Sequence, residues 1–271
     1  MGFGKKSLLI LTIVGLMIIL FVNSLNINAN QPPPDKTPHL RNVVPSPKAD
    51  EFRATVERQA QLFPDDFFIE ALHYRKEVAL TFDDGPDRVY TEQILNILKD
   101  YEIKATFFVT GLNSKRYPAI LKRINMEGHS IGGHSYNHPD LRKFAVEKAY
   151  SQQIKRTNDI IEEYLDYRPA FFRPPYGAIN DKEIEYFSKR NNKTILWSID
   201  TIDWDVSQNS AEELKDKVMN YLHPGAIVLM HSGGGNRQNT IKALPGIIEE
   251  LQEKGYTFKT IPELLTIPGK Q

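Results

Sequence analysis

Residues 77–87 read EVALTFDDGPD, an apolar run that ends in three aspartates. The apolar part, Val78–Phe82, has the length and composition of a strand that is buried on both faces. Gly85-Pro86 then turns the chain sharply, and a segment with helical periodicity begins near Tyr90. A buried strand that passes through a tight turn into a helix is the unit from which parallel sheets are built.

The same alternation of strand and helix continues to the end of the chain. Short apolar runs predict strands at Val78–Phe82, Ala105–Thr110, Ser130–Gly132, Ala170–Arg173, Thr194–Ile199 and Ala226–His231, with a weaker one at Tyr256–Lys259. Amphipathic segments predict helices near Tyr90–Lys99, Pro118–Glu127, Val146–Tyr164, Asp181–Arg190, Ala211–Leu222 and Thr240–Lys254. About seven parallel strands covered by helices are therefore expected. A closed or partly closed barrel fits this number, and a doubly wound open sheet is the competing arrangement.

The N-terminal quarter of the chain has a different character. Two lysines precede an apolar run from Leu8 to Val22, which is typical of a signal peptide or membrane anchor, and we assign residues 1–30 to that role. Residues 31–75 are predicted to form a Pro-rich linker followed by a short helical extension, with helical spacing from about Asp50 to Tyr74. Residues 76–268 then hold the strand–helix units. We expect an extracytoplasmic protein that meets the membrane through its N-terminal segment.

The composition excludes several classes of function. Lys and Arg together number 34, as do Asp and Glu, so the formal net charge is zero. A nucleic-acid-binding protein normally carries a basic excess, so no nucleic-acid partner is expected. The chain has no cysteine, which excludes disulfides and thiolate nucleophiles. Any bound metal must therefore be held by nitrogen and oxygen ligands.

The first polar cluster, Asp83-Asp84-Gly85, directly follows the first predicted strand. In barrels of alternating strands and helices, catalytic groups sit at the carboxyl ends of the strands. Successive side chains diverge, so the two carboxylates can serve two tasks in one site, one as a metal ligand and the other as a base. The alternative is a simple turn, because Asp-Gly and Gly-Pro are common turn formers.

The second cluster contains His134 and His138, four residues apart and just past a predicted strand. Two imidazoles at this spacing can bind one metal if the segment between them makes a helical turn. Neutral imidazoles suit Zn²⁺, and an aspartate from the first cluster would complete a three-ligand site. Two unrelated surface histidines are the alternative.

The third cluster places Arg173 directly after apolar strand residues, followed by Pro174, Pro175 and Tyr176. A buried arginine requires a carboxylate partner. The two prolines restrict the backbone, so the amide of Tyr176 could be presented rigidly as a hydrogen-bond donor. A Pro-rich loop with a surface arginine is the alternative.

The last two clusters run from Asp200 to Trp204 and from Leu229 to His231. A lone histidine at a strand end is more often structural than catalytic. Here a carboxylate ends the neighbouring predicted strand and could tune the imidazole. The three glycines that follow His231 indicate either backbone close to a ligand or a flexible loop.

Taken together, five motifs occur in one order along the chain: Thr81–Gly85, His134–His138, Arg173–Tyr176, Asp200–Trp204 and Leu229–His231. This set resembles the five motifs of the polysaccharide deacetylase family, also called the NodB-homology domain or carbohydrate esterase family 4. The resemblance covers roughly residues 77–265. It implies a distorted (β/α) barrel with fewer than eight strands, and an enzyme that removes acetyl groups from the sugars of a polysaccharide.

The resemblance also implies a divalent metal and a set of catalytic roles. The metal is usually zinc, with cobalt or another transition metal as alternatives, and its ligands would be Asp84, His134 and His138. Asp83 resembles the general base and His231 the general acid. Arg173 would hold Asp83, and Asp200 would tune His231.

The expected substrate follows from the same resemblance. The Tyr176 amide would help stabilise the oxyanion, while Trp204 and Leu229 would line the groove that receives the acetyl methyl group. N-acetylmuramic acid deacetylases often replace the second aspartate of the first motif, and Asp84 is present here. N-acetylglucosamine of peptidoglycan is therefore the expected substrate, hydrolysed by a monomeric enzyme that faces the cell wall. The alternatives are a chitooligosaccharide deacetylase, an O-acetyl xylan esterase and a non-catalytic wall-binding module.

Overall fold

The computed structural model describes residues 47–72, 74–207 and 209–271. The predicted export segment, residues 1–30, and most of the Pro-rich linker lie outside the described residues. Among the helices within the described ranges, none is long and apolar enough to cross a membrane.

Across the described residues, nine strands pair in one parallel sheet. Their bounds are β1 (Phe67–Phe68), β2 (Glu77–Asp83), β3 (Thr106–Val109), β4 (Ser130–Gly133), β5 (Phe171–Phe172), β6 (Lys193–Ile195), β7 (Ile199–Asp200), β8 (Ala226–His231) and β9 (Thr257–Phe258). The order across the sheet is β1-β6-β5-β4-β3-β2-β8-β7, and β9 pairs with the start of β2.

Helices cover the sheet between these strands. Their bounds are α1 (Pro47–Leu62), α2 (Tyr90–Asp100), α3 (Gly111–Arg116), α4 (Pro118–Met126), α5 (Val146–Ala149), α6 (Arg156–Leu165), α7 (Asp181–Ser188), α8 (Ala211–Tyr221), α9 (Gln238–Glu253) and α10 (Ile261–Leu265). A π-helical turn at Tyr150–Lys155 joins α5 to α6, and short 3₁₀ turns occur at Leu141–Lys143 and Pro175–Gly177. The arrangement confirms the predicted distorted (β/α) barrel.

Strand β2 is mostly apolar because both of its faces are covered, and the hydroxyl of its one buried threonine, Thr81, donates to Val228 O. Val78, Leu80 and Phe82 pack into the hydrophobic cluster formed with helices α2, α4, α8 and α9. Ala79 points the other way, into a cluster that includes Phe171 and other aromatic side chains of the barrel interior. Successive strand residues face opposite sides, so this burial requires an unbroken apolar run rather than an alternating one.

One predicted strand, Thr194–Ile199, is divided in two, and this division links the ends of the sheet. Its first part, β6, pairs with β5 and β1, whereas its second part, β7, pairs with β8. Between them the Leu196 N–H donates to Phe68 O, and the Ser198 N–H donates to Ile227 O. The backbone of this short segment therefore joins opposite edges of the sheet, which favours the barrel over an open sheet.

Helical spacing predicted helix from about Asp50 to Tyr74, but the structure is helical only in the first half of this segment. Helix α1 ends at Leu62, and β1 follows where further helix was expected. Pro64 lies just beyond the helix, and Phe67 and Ile69 then alternate into the core, each 1% exposed. Two residues of the predicted extension therefore belong to the sheet, where Phe67 pairs with Thr194.

Candidate active site

The polar clusters at the strand ends converge on one cavity of about 440 Å³. This volume lies within the range of about 300–1,000 Å³ that is usual for ligand sites. All of the predicted site residues except Arg173 line the cavity, namely Asp83, Asp84, His134, His138, Tyr176, Asp200, Trp204, Leu229 and His231. Arg173 lies behind it and is fully buried.

Three of these side chains form a candidate metal centre. Asp84 Oδ1 lies 3.5 Å from Nε2 of His134 and 3.4 Å from Nε2 of His138. One ligand atom from each residue lies within 4.8 Å of the other two. Ligands that bind a tetrahedral Zn²⁺ at about 2.0–2.1 Å stand roughly 3.3 Å apart, so the three donors fit such an ion.

Hydrogen bonds fix the imidazole of His134 and the backbone of His138. The Nδ1–H of His134 donates to the carbonyl oxygen of Arg173 at 2.8 Å, which leaves Nε2 as the donor atom for a metal. Burial lowers the pKa of His134 to about 3, so its imidazole is neutral, as metal binding requires. The backbone N–H of His138 donates to Ser135 Oγ at 3.0 Å.

A glutamine that the sequence did not single out supports the loop between the two histidines. Gln153 lies in the π-helical turn and is 6% exposed. Its Oε1 accepts hydrogen bonds from the backbone N–H groups of Tyr136 at 2.9 Å and Asn137 at 3.4 Å. The π-helical turn, which frequently marks functional sites, is not visible in the hydrophobic pattern of the sequence.

Asp83 and Arg173 form a buried ion pair next to the metal centre. One guanidinium nitrogen of Arg173 donates to Asp83 Oδ1 at 2.8 Å and to Thr81 Oγ1 at 2.9 Å. Its other two nitrogens donate to the carbonyl oxygens of Ile195 and Leu196. Burial raises the pKa of Asp83, and the Arg173 charge opposes that rise. The predicted contact between Arg173 and Asp83 is present.

The hydrogen-bond partner of His231 is Asp203 rather than the predicted Asp200, although Asp200 still interacts with His231 through charge. Nδ1 of His231 donates to Asp203 Oδ1 at 2.6 Å, and the His231 backbone N–H donates to Asp203 Oδ2 at 2.8 Å. Asp200, the expected partner, accepts the backbone N–H of Ile202 at 2.8 Å instead. The reason is local: Ile202 has a φ of 60°, and the left-handed turn at this position brings the later aspartate back towards His231.

The electrostatics of this pair keep His231 charged. Burial lowers the pKa of His231, but the Asp203 carboxylate, its hydrogen bond and the nearby Asp84 and Asp83 outweigh burial and raise the pKa to about 9. Asp203 also accepts from Thr240 Oγ1 at 2.7 Å. For the Asp203 carboxyl, burial acts in the opposite direction and raises the pKa. The charge of His231 and its hydrogen bond outweigh burial, so the pKa of Asp203 lies below its ordinary value.

The glycines after His231 are explained by close approach of the backbone to Asp84. A Cβ at Gly233 would lie 2.6 Å from the Asp84 carbonyl oxygen. A Cβ at Gly234, where φ is +73°, would lie 2.3 Å from Asp84 Oδ2. Only residues without a side chain fit between this loop and the candidate metal ligand.

Aromatic side chains form much of the cavity wall. Trp204 and Tyr176 are 54% and 65% exposed, and the Tyr176 ring meets that of His138 edge-on at 4.7 Å. Leu229 and Trp197 are largely buried and present only part of their surface to the cavity. Trp197, Phe52 and Arg237 also line the cavity but were not predicted as site residues.

A sequence model of the polysaccharide deacetylase family matches residues 73–195. A peptidoglycan-N-acetylglucosamine deacetylase of Bacillus cereus is 43% identical over 191 residues, which cover 70% of this chain and 68% of the relative. This chain belongs to the polysaccharide deacetylase family. The resemblance drawn from the five motifs is thereby confirmed.

Solved structures of the polysaccharide deacetylase family have the same fold. A peptidoglycan N-acetylglucosamine deacetylase in complex with 4-naphthalen-1-yl-N-oxidanyl-benzamide aligns with a TM-score of 0.72 at 40% identity, over 75% of this chain and 94% of that one. A family pseudoenzyme from Bacillus anthracis aligns with a TM-score of 0.67 at 35% identity, over 73% of this chain and 68% of that one. The fold alone therefore does not guarantee activity, and the residues of the site must carry that conclusion.

Proposed function

We propose that this polysaccharide deacetylase removes the acetyl group from N-acetylglucosamine residues of peptidoglycan, outside the cytoplasm. The observation that carries the proposal is the juxtaposition of two charge pairs with a candidate metal centre in one cavity. Asp83 is paired with Arg173, His231 is paired with Asp203, and Asp83 and His231 both line the same cavity as the three candidate metal ligands. Peptidoglycan N-acetylglucosamine is the substrate named for two of the relatives described above, the Bacillus cereus deacetylase and the deacetylase of the complex structure.

The residues fit a divalent cation held by Asp84, His134 and His138, and we propose Zn²⁺ because two imidazoles and one carboxylate are its usual donors. When bound, such an ion polarises the acetyl carbonyl and activates water as the nucleophile. The neutral state of His134 and the fixed direction of its Nε2 prepare the chain for this ligand.

Asp83 is proposed as the general base. Its Oδ1 is held by Arg173, so the carboxylate cannot rotate away, and its Oδ2 lies 3.8 Å from the metal ligand atom of His134. A base fixed at this position can take the proton of a water that attacks the acetyl carbon. Arg173 orients Asp83 and does not itself touch the reacting atoms.

His231 is proposed as the general acid. Its pKa of about 9 keeps it protonated at neutral pH, and Nδ1 is occupied by Asp203, so Nε2 carries the proton that can be given away. Transfer of that proton to the sugar nitrogen makes the amine a good leaving group when the carbon–nitrogen bond breaks. The Tyr176 amide is proposed to stabilise the oxyanion, a contribution of roughly 3 kcal/mol for a single donor.

The setting of the reaction is also a proposal. Residues 1–30 would carry the protein out of the cytoplasm and hold it at the membrane, and the folded part would act on the wall as a monomer. Trp204 and Leu229 would receive the acetyl methyl group, because they offer apolar surface to the cavity.

The decisive experiment is acetate release by the zinc-loaded protein from N-acetylated peptidoglycan, from chitooligosaccharides and from O-acetylated xylan. We expect the fastest release from peptidoglycan, with glucosamine in the hydrolysed product. The variant Asp83→Asn should keep the metal and lose at least about 100-fold in kcat, the usual minimum contribution of a general base. Release from O-acetylated xylan alone would contradict the proposal.

A further inference from the structure

Phe52 comes from a part of the chain that lies before the region matched by the family sequence model, yet it lines the catalytic cavity. It sits near the start of helix α1, and its ring lies 6.5 Å from that of Trp197, tilted by 34°. One part of the ring packs on the barrel core, and the side chain remains partly exposed. An apolar surface is therefore added to the cavity by an element outside the five motifs.

Helix α1 is fixed against the barrel, so the position of Phe52 is defined. The buried amide of Gln59 donates to Ile179 O at 3.0 Å and to Asp181 Oδ1 at 3.1 Å. Arg58 adds two parallel hydrogen bonds to the same carboxylate, at 2.7 and 2.9 Å. Val56, 1% exposed, packs into the core on the same helix. These contacts connect α1 to the beginning of α7, which follows the Tyr176 loop.

The loop beside Phe52 is shaped to accept its ring. Gly177 has a φ of +64°, and a Cβ there would lie 2.9 Å from Phe52 Cζ and 3.0 Å from an atom of the Trp197 ring. Because Gly177 has no side chain, the rings of Phe52 and Trp197 can pack directly against the backbone next to Tyr176. The result is an aromatic wall formed by Phe52, Trp197 and Tyr176 on one side of the cavity.

We propose that Phe52 is a substrate-binding residue that packs against the apolar C–H face of a sugar ring of the bound glycan. The inference rests on the proposed function, because it takes an N-acetylated glycan as the ligand of this cavity. Rigid aromatic surface at a pocket wall binds apolar faces at low cost in conformational entropy, and polar groups elsewhere in the pocket set the orientation. Substrate binding would then depend on a residue of helix α1, Phe52, which lies outside the five motifs.

The test compares Phe52→Ala and Phe52→Trp with a matched control, Phe63→Ala. Phe63 packs partly buried against the same hydrophobic cluster but is not among the residues that line the cavity. Kinetics of acetate release are measured on N-acetylglucosamine oligomers of increasing length, together with Zn²⁺ affinity and Tm. We expect Phe52→Ala to raise KM about five- to thirtyfold with kcat changed less than about twofold, and Phe52→Trp to restore KM. Zn²⁺ affinity should stay at the wild-type value in all three variants.

A purely structural role would give a different pattern. In that case Phe63→Ala and Phe52→Ala would lower Tm and raise KM alike, and the inference would be overturned. It would also be overturned if Phe52→Ala kept the wild-type KM on every oligomer. If the wild-type protein released no acetate, calorimetric binding of the same oligomers to zinc-loaded Asp83→Asn, with and without Phe52→Ala, would still measure the contribution of Phe52. Equal affinity of those two proteins would refute the inference independently of the proposed reaction.

Discussion

Asp203 holds both the side chain and the backbone of His231: one carboxylate oxygen accepts Nδ1–H at 2.6 Å, and the other accepts the backbone N–H at 2.8 Å. Thr240 Oγ1 donates to the second oxygen, so the carboxylate is itself fixed. This two-point contact fixes the rotation of the imidazole and determines which of its nitrogens can face a substrate. It also places a buried negative charge where it stabilises the imidazolium form.

The first prediction concerns this pair. In Asp203→Asn the charge that raises the pKa of His231 is lost while the effect of burial stays, so that pKa should fall well below about 9. A general acid must be protonated, so the alkaline limb of the kcat/KM profile should move to lower pH. The measurement is the pH dependence of acetate release by wild type and variant.

Asp200→Asn is the matched control for Asp203→Asn. Asp200 also lines the cavity, but its Oδ1 accepts the backbone N–H of Ile202. We expect a smaller displacement of its alkaline limb than in Asp203→Asn, because Asp203 makes a hydrogen bond to Nδ1 of His231 in addition to the charge interaction that both carboxylates have with it. If the alkaline limb moved equally in both variants, Asp203 would not be the main cause of the raised pKa of His231.

The second prediction concerns Gln153, which holds the loop between the two candidate metal-binding histidines through two backbone N–H groups. In Gln153→Leu these donors lose their acceptor, and the loop is free to relax away from the metal position. Loss of such outer support typically costs about 10- to 100-fold in metal affinity. Calorimetric titration of the apo protein with Zn²⁺ measures the change directly.

The exposed neighbour Gln152 provides the control for Gln153→Leu. Gln152→Leu makes the same chemical change one residue away, on the solvent side of the π-helical turn. It should bind Zn²⁺ like the wild type. Unchanged Zn²⁺ affinity in Gln153→Leu would mean that the loop keeps its shape without this side chain.

The third prediction concerns Gly234, which packs against the candidate metal ligand Asp84. In Gly234→Ala the new Cβ would be placed 2.3 Å from Asp84 Oδ2, so the carboxylate must move. We expect Zn²⁺ affinity to fall at least about 10-fold and acetate release to fall with it. Gly255→Ala is the control, because Gly255 has a similar φ of +77° with nothing within 4 Å of an added Cβ.

Both glycine variants introduce a residue in the left-handed region, which costs about 1 kcal/mol of stability. Gly255→Ala should lose about this amount in urea unfolding and keep the rest of the structure unchanged, whereas Gly234→Ala should lose more, because its Cβ also clashes with Asp84, and it alone should lose metal affinity. Equal Zn²⁺ affinity in the two variants would contradict the proposed role of the contact with Asp84.

Most of the strands, and the clustering of the candidate metal ligands at strand ends, could be predicted because they depend on local sequence. Val78–Phe82 is apolar apart from Thr81 since both faces of β2 are buried, and the aspartates follow at the carboxyl end of a parallel strand. The choice between Asp200 and Asp203 could not be predicted in this way. It depends on the backbone turn at Ile202, which the residue type does not indicate, because a β-branched residue rarely adopts a positive φ.

Other parts of the site depend on contacts between elements far apart in the chain. Phe52 reaches the cavity because Gln59 docks helix α1 against the start of α7, more than 100 residues later. Gln153 reaches its loop because one turn of the helix is π-helical rather than α-helical. Periodicity predicts which face of a helix is buried, but it does not predict which loop that face meets.

The last prediction concerns stability at low pH and the buried histidine His129, 5% exposed. Its Nδ1 accepts the backbone N–H of Ala105 at 3.2 Å, and its ring packs edge-on against Phe107. Burial, helped by the charge of Lys104, lowers the pKa of His129 to about 4 from its usual value of 6.5. The folded state therefore binds fewer protons than the unfolded state between these two pH values.

Stability must then rise with pH across that window, because the unfolded chain holds the extra proton. The contribution of neutral His129 is complete above about pH 6.5 and is lost as the pH falls to about 4, a change on the order of 3 kcal/mol. In His129→Asn the amide oxygen can still accept the Ala105 N–H, but the side chain does not titrate. Urea unfolding at several pH values between 7 and 4.5 should show a shallower loss of stability in the variant, even where its stability at pH 7 is lower. Parallel pH profiles for the two proteins would mean that His129 does not contribute to the acid sensitivity of the fold.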